Sequence, residues 1–278
     1  MKTRSASHRR PGVATWITVV IAALFAFVPV MWLLLTAFTE DSDIFQMPPS
    51  LARDFTLDQV IQVVTNPQLT QFMLNGLFVS TATAVVSLII GSLAGYSFSK
   101  FRYRGRSSLM YLLLIAQMVP EVLLLLTLYA AFTRVGLLNS YVGLILSYVT
   151  FTLPLSVFMM KNTFDGIPDE LIESGRVDKA SEWRILVRIV FPVVSTSMVA
   201  VAMFAFIRAW NDLVYSLTLM DTPKQTLPAG LTLTYLGEFQ NSYGEMMAAS
   251  LLSSVPVVAI FLVFQKHFVS GALAGSIK

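Results

Sequence analysis

Six long apolar stretches constrain the fold of this chain more than any other feature of its sequence. A transmembrane helix needs about 20 mostly apolar residues, and each stretch reaches that length. Only 13% of the 278 residues are charged, whereas a soluble domain carries about 25%. Because lipid offers no hydrogen bonds to an open backbone, the stretches are predicted to be membrane-spanning helices. The predicted spans are residues 13–38, 72–98, 109–132, 141–160, 195–220 and 246–265.

The distribution of the 19 Lys and Arg residues predicts the orientation of these spans. Only Arg53, Arg134 and Lys224 fall in the connections on one side, and Arg208 lies within a span. Since basic residues are retained in the cytoplasm, both termini are predicted to be cytoplasmic. Residues 39–70 then form the longest outer segment, with a short helix expected over 57–64. The chain contains no linker or internal repeat, so residues 1–278 are interpreted as one transmembrane domain.

Two further features concern single spans. Basic residues before the first span resemble the start of a signal peptide, but the apolar run is longer than the 7–15 residues of a signal core. An uncleaved anchor is therefore expected.

In the second span, Gly91 and Gly95 are four residues apart, a spacing that lets two helix backbones approach closely.

A polar segment over residues 161–192 interrupts the apolar pattern and is too charged to span. Pro168 suits a first helical turn, and Asp169 and Glu170 would lie at the positive end of that helix. Ser181 is a plausible N-cap for a second helix. The segment therefore predicts a helix–turn–helix held by the membrane at both ends. Physical chemistry leaves two interpretations open: a projection that docks on another protein, or an amphipathic loop lying on lipid headgroups.

The loop resembles the coupling loop of ABC importer permeases, in which Glu-Ala-Ala, three residues, Gly, nine residues and Ile-x-Leu-Pro follow one another. Three groups carry the resemblance: Glu173-Ser174-Gly175, Asp178-Lys179-Ala180 and Ile189-Val190-Phe191-Pro192. Residues 75–106, 206–213 and 271–278 extend it over nearly the whole chain, and the similarity is to the carbohydrate, maltose-type branch.

This resemblance implies a fold and a function. The fold would be an all-α, six-transmembrane-helix permease with a cytoplasmic coupling helix–turn–helix, in a bacterial-type cytoplasmic (inner) membrane. The chain would form half of the pathway for a sugar or oligosaccharide. Its partners would be a second permease, two ATPase subunits that hold ATP and Mg, an extracytoplasmic sugar-binding protein and the lipid bilayer. The residues expected to contact an ATPase are Glu173, Ser174, Gly175, Asp178, Lys179 and Ala180.

Four residues, at three places, depart from the family pattern. Lys179 replaces a glycine, so a turn with positive φ would cost about 1 kcal/mol or more here. Ser174 and Gly175 replace two alanines and are expected to loosen the first helix, since Gly is about 1 kcal/mol worse than Ala. Thr127 replaces a proline that is usual in the third span.

Charged residues in the fifth span require an explanation, because charges at mid-membrane cost about 2.5–3.5 kcal/mol each. Arg208 and Asp212 are one helical turn apart, with Asn211 adjacent. They are expected to pair within the helix. One interpretation is a self-neutralising structural pair, and the other is a group that lines a water-filled pathway.

The third span contains Gln117, Pro120 and Glu121 at mid-depth. Pro120 frees the carbonyl about four residues before it and is expected to bend the helix. A bent helix with polar groups suits a gated cavity. A protonated glutamate packed between helices is the alternative for Glu121.

Other functions fit the sequence less well. An enzyme would need catalytic or metal-binding residues that converge at one depth, and we identify none, while His8 and His267 lie in the tails. The absence of cysteine excludes thiolate metal sites, and no P-loop motif is present, so this chain is expected to bind no cofactor itself. Without a basic run interleaved with aromatics, nucleic acid is not an expected partner. A secondary transporter or channel subunit remains the alternative, although no matching pair of broken helices is seen.

Overall fold

The computed structural model describes residues 12–40, 44, 55–236 and 242–275, with side chains up to residue 265. The N-terminal basic segment, Arg53 and the last residues of the tail motif lie outside this part. Regular structure in the described residues is helical, and we number the helices in chain order. They are α1 (Val13–Ala37), α2 (Asp58–Thr65), α3 (Pro67–Lys100), α4 (Arg106–Ala116), α5 (Glu121–Val135), α6 (Tyr141–Asp165), α7 (Asp169–Val177), α8 (Glu182–Trp210), α9 (Val214–Leu219), α10 (Leu227–Tyr235) and α11 (Tyr243–Gly275).

The predicted spans correspond to these helices with two differences. Within the described residues, α1, α3, α6, α8 and α11 each contain a segment long and apolar enough to cross a membrane. The third predicted span is a broken one, because α4 and α5 meet at 98°. Pro120, which has no N–H to continue a helix, immediately precedes α5. The fifth predicted span is also interrupted, since α8 ends at Trp210 and α9 begins at Val214.

The chain divides into two compact units. The described part of the first contains residues 12–40, 44, 55–65 and 242–252. In it, Thr39 and Phe55 form an isolated antiparallel bridge, and the Gln59 amide donates to the Thr39 carbonyl at 2.7 Å. The short outer helix predicted over 57–64 is confirmed as α2, within one residue at each end. Apolar side chains of α1 are exposed along most of its length, as lipid contact requires.

The described part of the second unit contains residues 66–236 and 253–275, and α3, α6 and α8 form its core. The predicted close approach at Gly91 and Gly95 is confirmed. A Cβ added to Gly91 would lie 3.0 Å from the Cβ of Ser156, and one on Gly95 would lie 2.8 Å from the Cβ of Met160. Larger residues at either position would therefore separate α3 from α6.

One wider turn lies inside α8, just before its membrane portion. Residues Leu186–Val190 form a π turn, in which the Phe191 N–H donates to the Leu186 carbonyl. Pro192, which lacks an N–H, follows one residue later. The wider turn keeps α8 continuous from the 161–192 loop into the membrane.

Candidate functional site: the 161–192 loop and the mid-membrane cluster

The helix–turn–helix predicted over residues 161–192 is present. Its first helix, α7, starts directly after Pro168, and Asp169 and Glu170 occupy its first turn. Its second helix is the start of α8, where the Ser181 hydroxyl accepts the N–H of Arg184 at 3.4 Å. The predicted N-cap is therefore confirmed, whereas Pro168 precedes the helix instead of occupying its first turn.

The turn between the two helices has the left-handed geometry expected at the family's glycine. Lys179 has φ +56°. Its N–H donates to the Arg176 carbonyl at 2.9 Å, and the Ala180 N–H donates to the Gly175 carbonyl at 3.0 Å. These two bonds form a Schellman motif, which satisfies carbonyls at the end of α7. Lys179 thus adopts the backbone conformation that glycine would favour, at a cost on the order of 1–2 kcal/mol.

Gly175 has a packing role that sequence reasoning missed. It is buried, and an added Cβ would lie 2.9 Å from Cδ1 of Ile189 and 3.0 Å from Cγ1 of Ile185. The missing side chain therefore lets α7 lie against α8. In the sequence, the four-residue spacing of Ile185 and Ile189 indicated that they share one face of α8, and Gly175 packs against that face.

Polar contacts attach the loop to the end of α3. Nζ of Lys100 donates to the Asp169 carboxylate and to the Ile167 carbonyl, both at 2.7 Å. The hydrogen bond from Lys100, together with its charge, lowers the pKa of Asp169. Across the turn, Arg176 Nε donates to Glu182 at 2.8 Å, a bond that raises the pKa of Arg176.

An apolar cluster continues from the loop into the membrane helices. It joins buried side chains of α7 and α8 to those of α3 and α6. Its buried members are Tyr96, Met160, Phe164, Ile167, Ile172, Ile185, Leu186, Val190, Val194 and Val201. A displacement of the loop must therefore move the neighbouring ends of these helices, because close-packed interiors transmit strain.

The predicted coupling residues divide between two sides of the loop. Glu173, Ser174, Asp178 and Lys179 are exposed, whereas Gly175 is buried and Ala180 is half-buried. Apolar side chains outside the predicted coupling set are also exposed on this loop, foremost Val177 (80% exposed) and Trp183 (63% exposed). The loop consequently exposes both acidic and apolar groups.

The predicted pairing of Arg208 with Asp212 is wrong. Arg208 forms an ion pair with Glu121 instead, and its guanidinium carbon lies 5.3 Å from the ring centroid of Phe151. The physical reason is that α8 ends at Trp210. Residues beyond that point no longer continue the helical face on which Arg208 lies.

Asp212 instead organises the start of α9. Its Oδ1 accepts the Tyr215 N–H at 3.0 Å, the Ser216 N–H at 3.3 Å and the Tyr148 hydroxyl at 2.9 Å. Asn211 Nδ2 donates to the Ile207 carbonyl at 3.0 Å. Asp212 therefore caps the start of α9, which explains why a helix begins again here.

A cavity of about 310 Å³ joins the polar residues predicted in the third and fifth spans. Glu121 and Arg208 both line it, and their side chains are 53% and 45% exposed. Within this chain, Glu121 therefore faces an open space and is not enclosed between its own helices. Gln117 donates to the Phe151 carbonyl at 3.4 Å, which places it beside the same wall. The full lining is Glu121, Phe151, Ile207, Arg208, Asn211, Asp212, Leu213 and Val214.

A second polar group was missed by sequence reasoning and holds the segment after α9. Asn75 donates to the carbonyls of Pro223 (3.0 Å) and Gln225 (2.9 Å). It accepts from Gln71 and from the Tyr141 hydroxyl, both at 2.8 Å. A buried amide inside an apolar span was the signal available in the sequence.

A helical membrane chain with broken spans, a mid-depth polar cavity and an attached helix–turn–helix is the architecture of an importer permease. Residues 87–273 match the family described as "Binding-protein-dependent transport system inner membrane component", and the chain belongs to this family. The predicted resemblance is therefore confirmed. Family membership also favours the permease interpretation over a secondary transporter or channel.

Relatives and solved structures agree with this assignment. The chain is 29% identical to "Trehalose/maltose transport system permease protein MalG" of Thermococcus litoralis, over 93% of this chain and 94% of that one. It is 32% identical to "Inner membrane ABC transporter permease protein YcjP" of Escherichia coli, over 92% and 94%. A crystal structure of a bacterial ABC transporter involved in import of the acidic polysaccharide alginate superposes with TM-score 0.79 at 20% identity. That match covers 96% of this chain and all of the other, and it confirms the predicted fold.

Proposed function

We propose that this chain forms half of the translocation pathway of an ATP-driven importer for a sugar or oligosaccharide. The relative from Thermococcus litoralis is named for trehalose and maltose, and the structure that superposes on this chain belongs to a transporter involved in the import of a polysaccharide. The observation that carries the proposal is the 161–192 loop, which is fixed to α3 and α8 yet keeps an exposed face.

The exposed face of the loop docks on an ATPase subunit in the cytoplasm. Acidic and apolar groups, among them Glu173, Val177 and Asp178, are available there at the same time. Movement of the ATPase then reaches the membrane helices through the apolar cluster and through Lys100–Asp169. Both termini lie on that side of a bacterial-type inner membrane, as the distribution of basic residues favours.

The other components supply what this chain does not. ATP and Mg bind to two separate ATPase subunits, so this chain is not itself an enzyme. A second permease completes the pathway, and an extracytoplasmic binding protein delivers the sugar, in line with the family description. The cavity at Glu121 and Arg208 lines the pathway, because both side chains reach an open space at mid-depth.

A charge reversal on the exposed face tests the docking proposal. Glu173→Lys is expected to lower both co-purification of the ATPase subunit and ATP hydrolysis stimulated by the binding protein, while membrane insertion stays normal. The matched control is Asp58→Lys, an equal reversal at the exposed start of α2. If Glu173→Lys assembled and hydrolysed ATP like this control, the loop would not be the docking element.

A further inference from the structure

A second polar groove lies at the opposite end of α4 from the mid-membrane cavity. It has a volume of about 220 Å³ and separates the start of α4 from the end of α6. Arg106, Ser107 and Lys161 form its polar part. Its apolar lining consists of Phe98, Met110, Tyr111 and Phe158.

The depth of this groove follows from helix geometry. With a rise of 1.5 Å per residue, Lys161 lies about 15 Å along α6 from Phe151. The start of α4 lies a similar distance along that helix from Gln117, which follows its last residue. Gln117 contacts the Phe151 carbonyl, so both helices run the same distance from the mid-depth cluster to the groove. Since the hydrocarbon core is about 30 Å thick, a groove half that distance from the mid-depth cluster lies at headgroup level.

The polar part of the groove is cationic and retains donors for an anion. The Arg106 guanidinium has five N–H donors, of which one bonds the Phe101 carbonyl at 3.1 Å. Lys161 forms an ion pair with Asp165, and its ammonium has three donors. Arg102 and Arg104 add positive charge in the preceding segment.

The apolar part of the groove is flanked by exposed apolar side chains of α4. Residues of α4 are not buried, and the flanking Leu109 and Leu112 are 49% and 61% exposed. A small soluble anion would contact only the cationic part of the groove and would make no contact with its apolar lining. A phospholipid would place its phosphate on the cationic part and its acyl chain along Met110, Tyr111 and Phe158.

We propose that this groove binds an anionic phospholipid. Its phosphate contacts Arg106 and Lys161, and basic pockets between membrane helices are a recurring setting for such headgroups. Phosphate and Asp165 compete for Lys161. Because Asp165 also accepts from Ser99 on α3 at 2.7 Å, the lipid lies at the base of the 161–192 loop.

The test compares phosphatidylglycerol with phosphatidylcholine of the same acyl chains, added to the purified full-length chain in detergent. Phosphatidylglycerol is expected to raise Tm by about 2–4 °C more than phosphatidylcholine does. Ser107→Glu, which places a negative charge in the groove, should abolish that difference. The matched control is Ser108→Glu, an equal change in the same helical turn outside the lining, and it should preserve the difference.

Two further variants separate a lipid site from a merely structural role. Arg106→Gln should lose the preference for phosphatidylglycerol. Asp165→Asn should increase it, because the competing carboxylate is removed while the cations remain. Equal shifts with both lipids, or a preference that survives Ser107→Glu, would overturn the proposal. Loss of the preference upon assembly with the second permease would also overturn it, since the groove would then belong to a subunit interface.

Discussion

A large residue at Gly175 tests whether the tight contact between α7 and α8 is essential to the loop. In Gly175→Leu the Cβ alone would lie 2.9 Å from Ile189 and 3.0 Å from Ile185, where an ordinary contact is 3.4–4 Å. Overpacking of this kind costs about 1–3 kcal/mol. Leu also has a better helix propensity than Gly, which offsets somewhat less than 1 kcal/mol of this cost. The expected net loss is therefore up to about 2 kcal/mol.

Smaller and neighbouring substitutions provide the controls for this prediction. Gly175→Ala should be close to neutral, because the propensity gain of about 1 kcal/mol offsets contact with the flexible end of Ile189. Ser174→Leu, on the exposed side of the same helix, should change stability by less than about 0.5 kcal/mol.

The assay is thermal unfolding of the purified complex together with ATP hydrolysis stimulated by the binding protein. Gly175→Leu should lower both Tm and stimulation, because α7 is pushed away from α8 and the exposed face shifts. The reasoning would be refuted if Gly175→Leu matched Ser174→Leu in both measurements.

Three other predictions concern single polar contacts. Arg208→Gln and Glu121→Gln should be non-additive by about 0.5–1 kcal/mol in a double-mutant cycle followed by thermal unfolding, since both side chains are about half exposed; additive effects would exclude the pair. Asp212→Ala should cost about 1–2 kcal/mol by removing the cap of α9, and Asp212→Asn should cost less; equal losses in thermal unfolding would contradict the cap. The pKa of Asp169 is lowered by Lys100, so the stability it contributes is present above its ordinary pKa and is lost as pH falls through the lowered value. Hydrogen exchange at α7 should accordingly rise below about pH 4, and Asp169→Asn should remove that pH dependence.

The membrane spans and the loop could be predicted because they depend on local sequence. Hydropathy over about 20 residues identifies a span without knowledge of its neighbours. Ser181 and the turn at Lys179 are likewise local signals, because capping and positive φ are settled within a few residues.

The mid-membrane contacts could not be predicted because they depend on tertiary geometry. Apolar residues continue past Trp210, so the sequence does not reveal that α8 ends there and removes Asp212 from its face. Pro120 predicted a bend, but the 98° angle that brings Glu121 to Arg208 is set by packing. Asn75 and Gln225 are 150 residues apart, and spacing alone cannot pair them.

Site-directed cross-linking to the ATPase subunit tests the central claim most directly. The chain contains no cysteine, so a single one can be introduced at Asp178 in the exposed turn or at Asp58 on α2. We predict that Asp178→Cys cross-links to a co-expressed ATPase subunit and is protected from a membrane-impermeant reagent added outside, whereas Asp58→Cys shows the reverse. Cross-linking from Asp58→Cys, or labelling of Asp178→Cys from outside, would contradict the account.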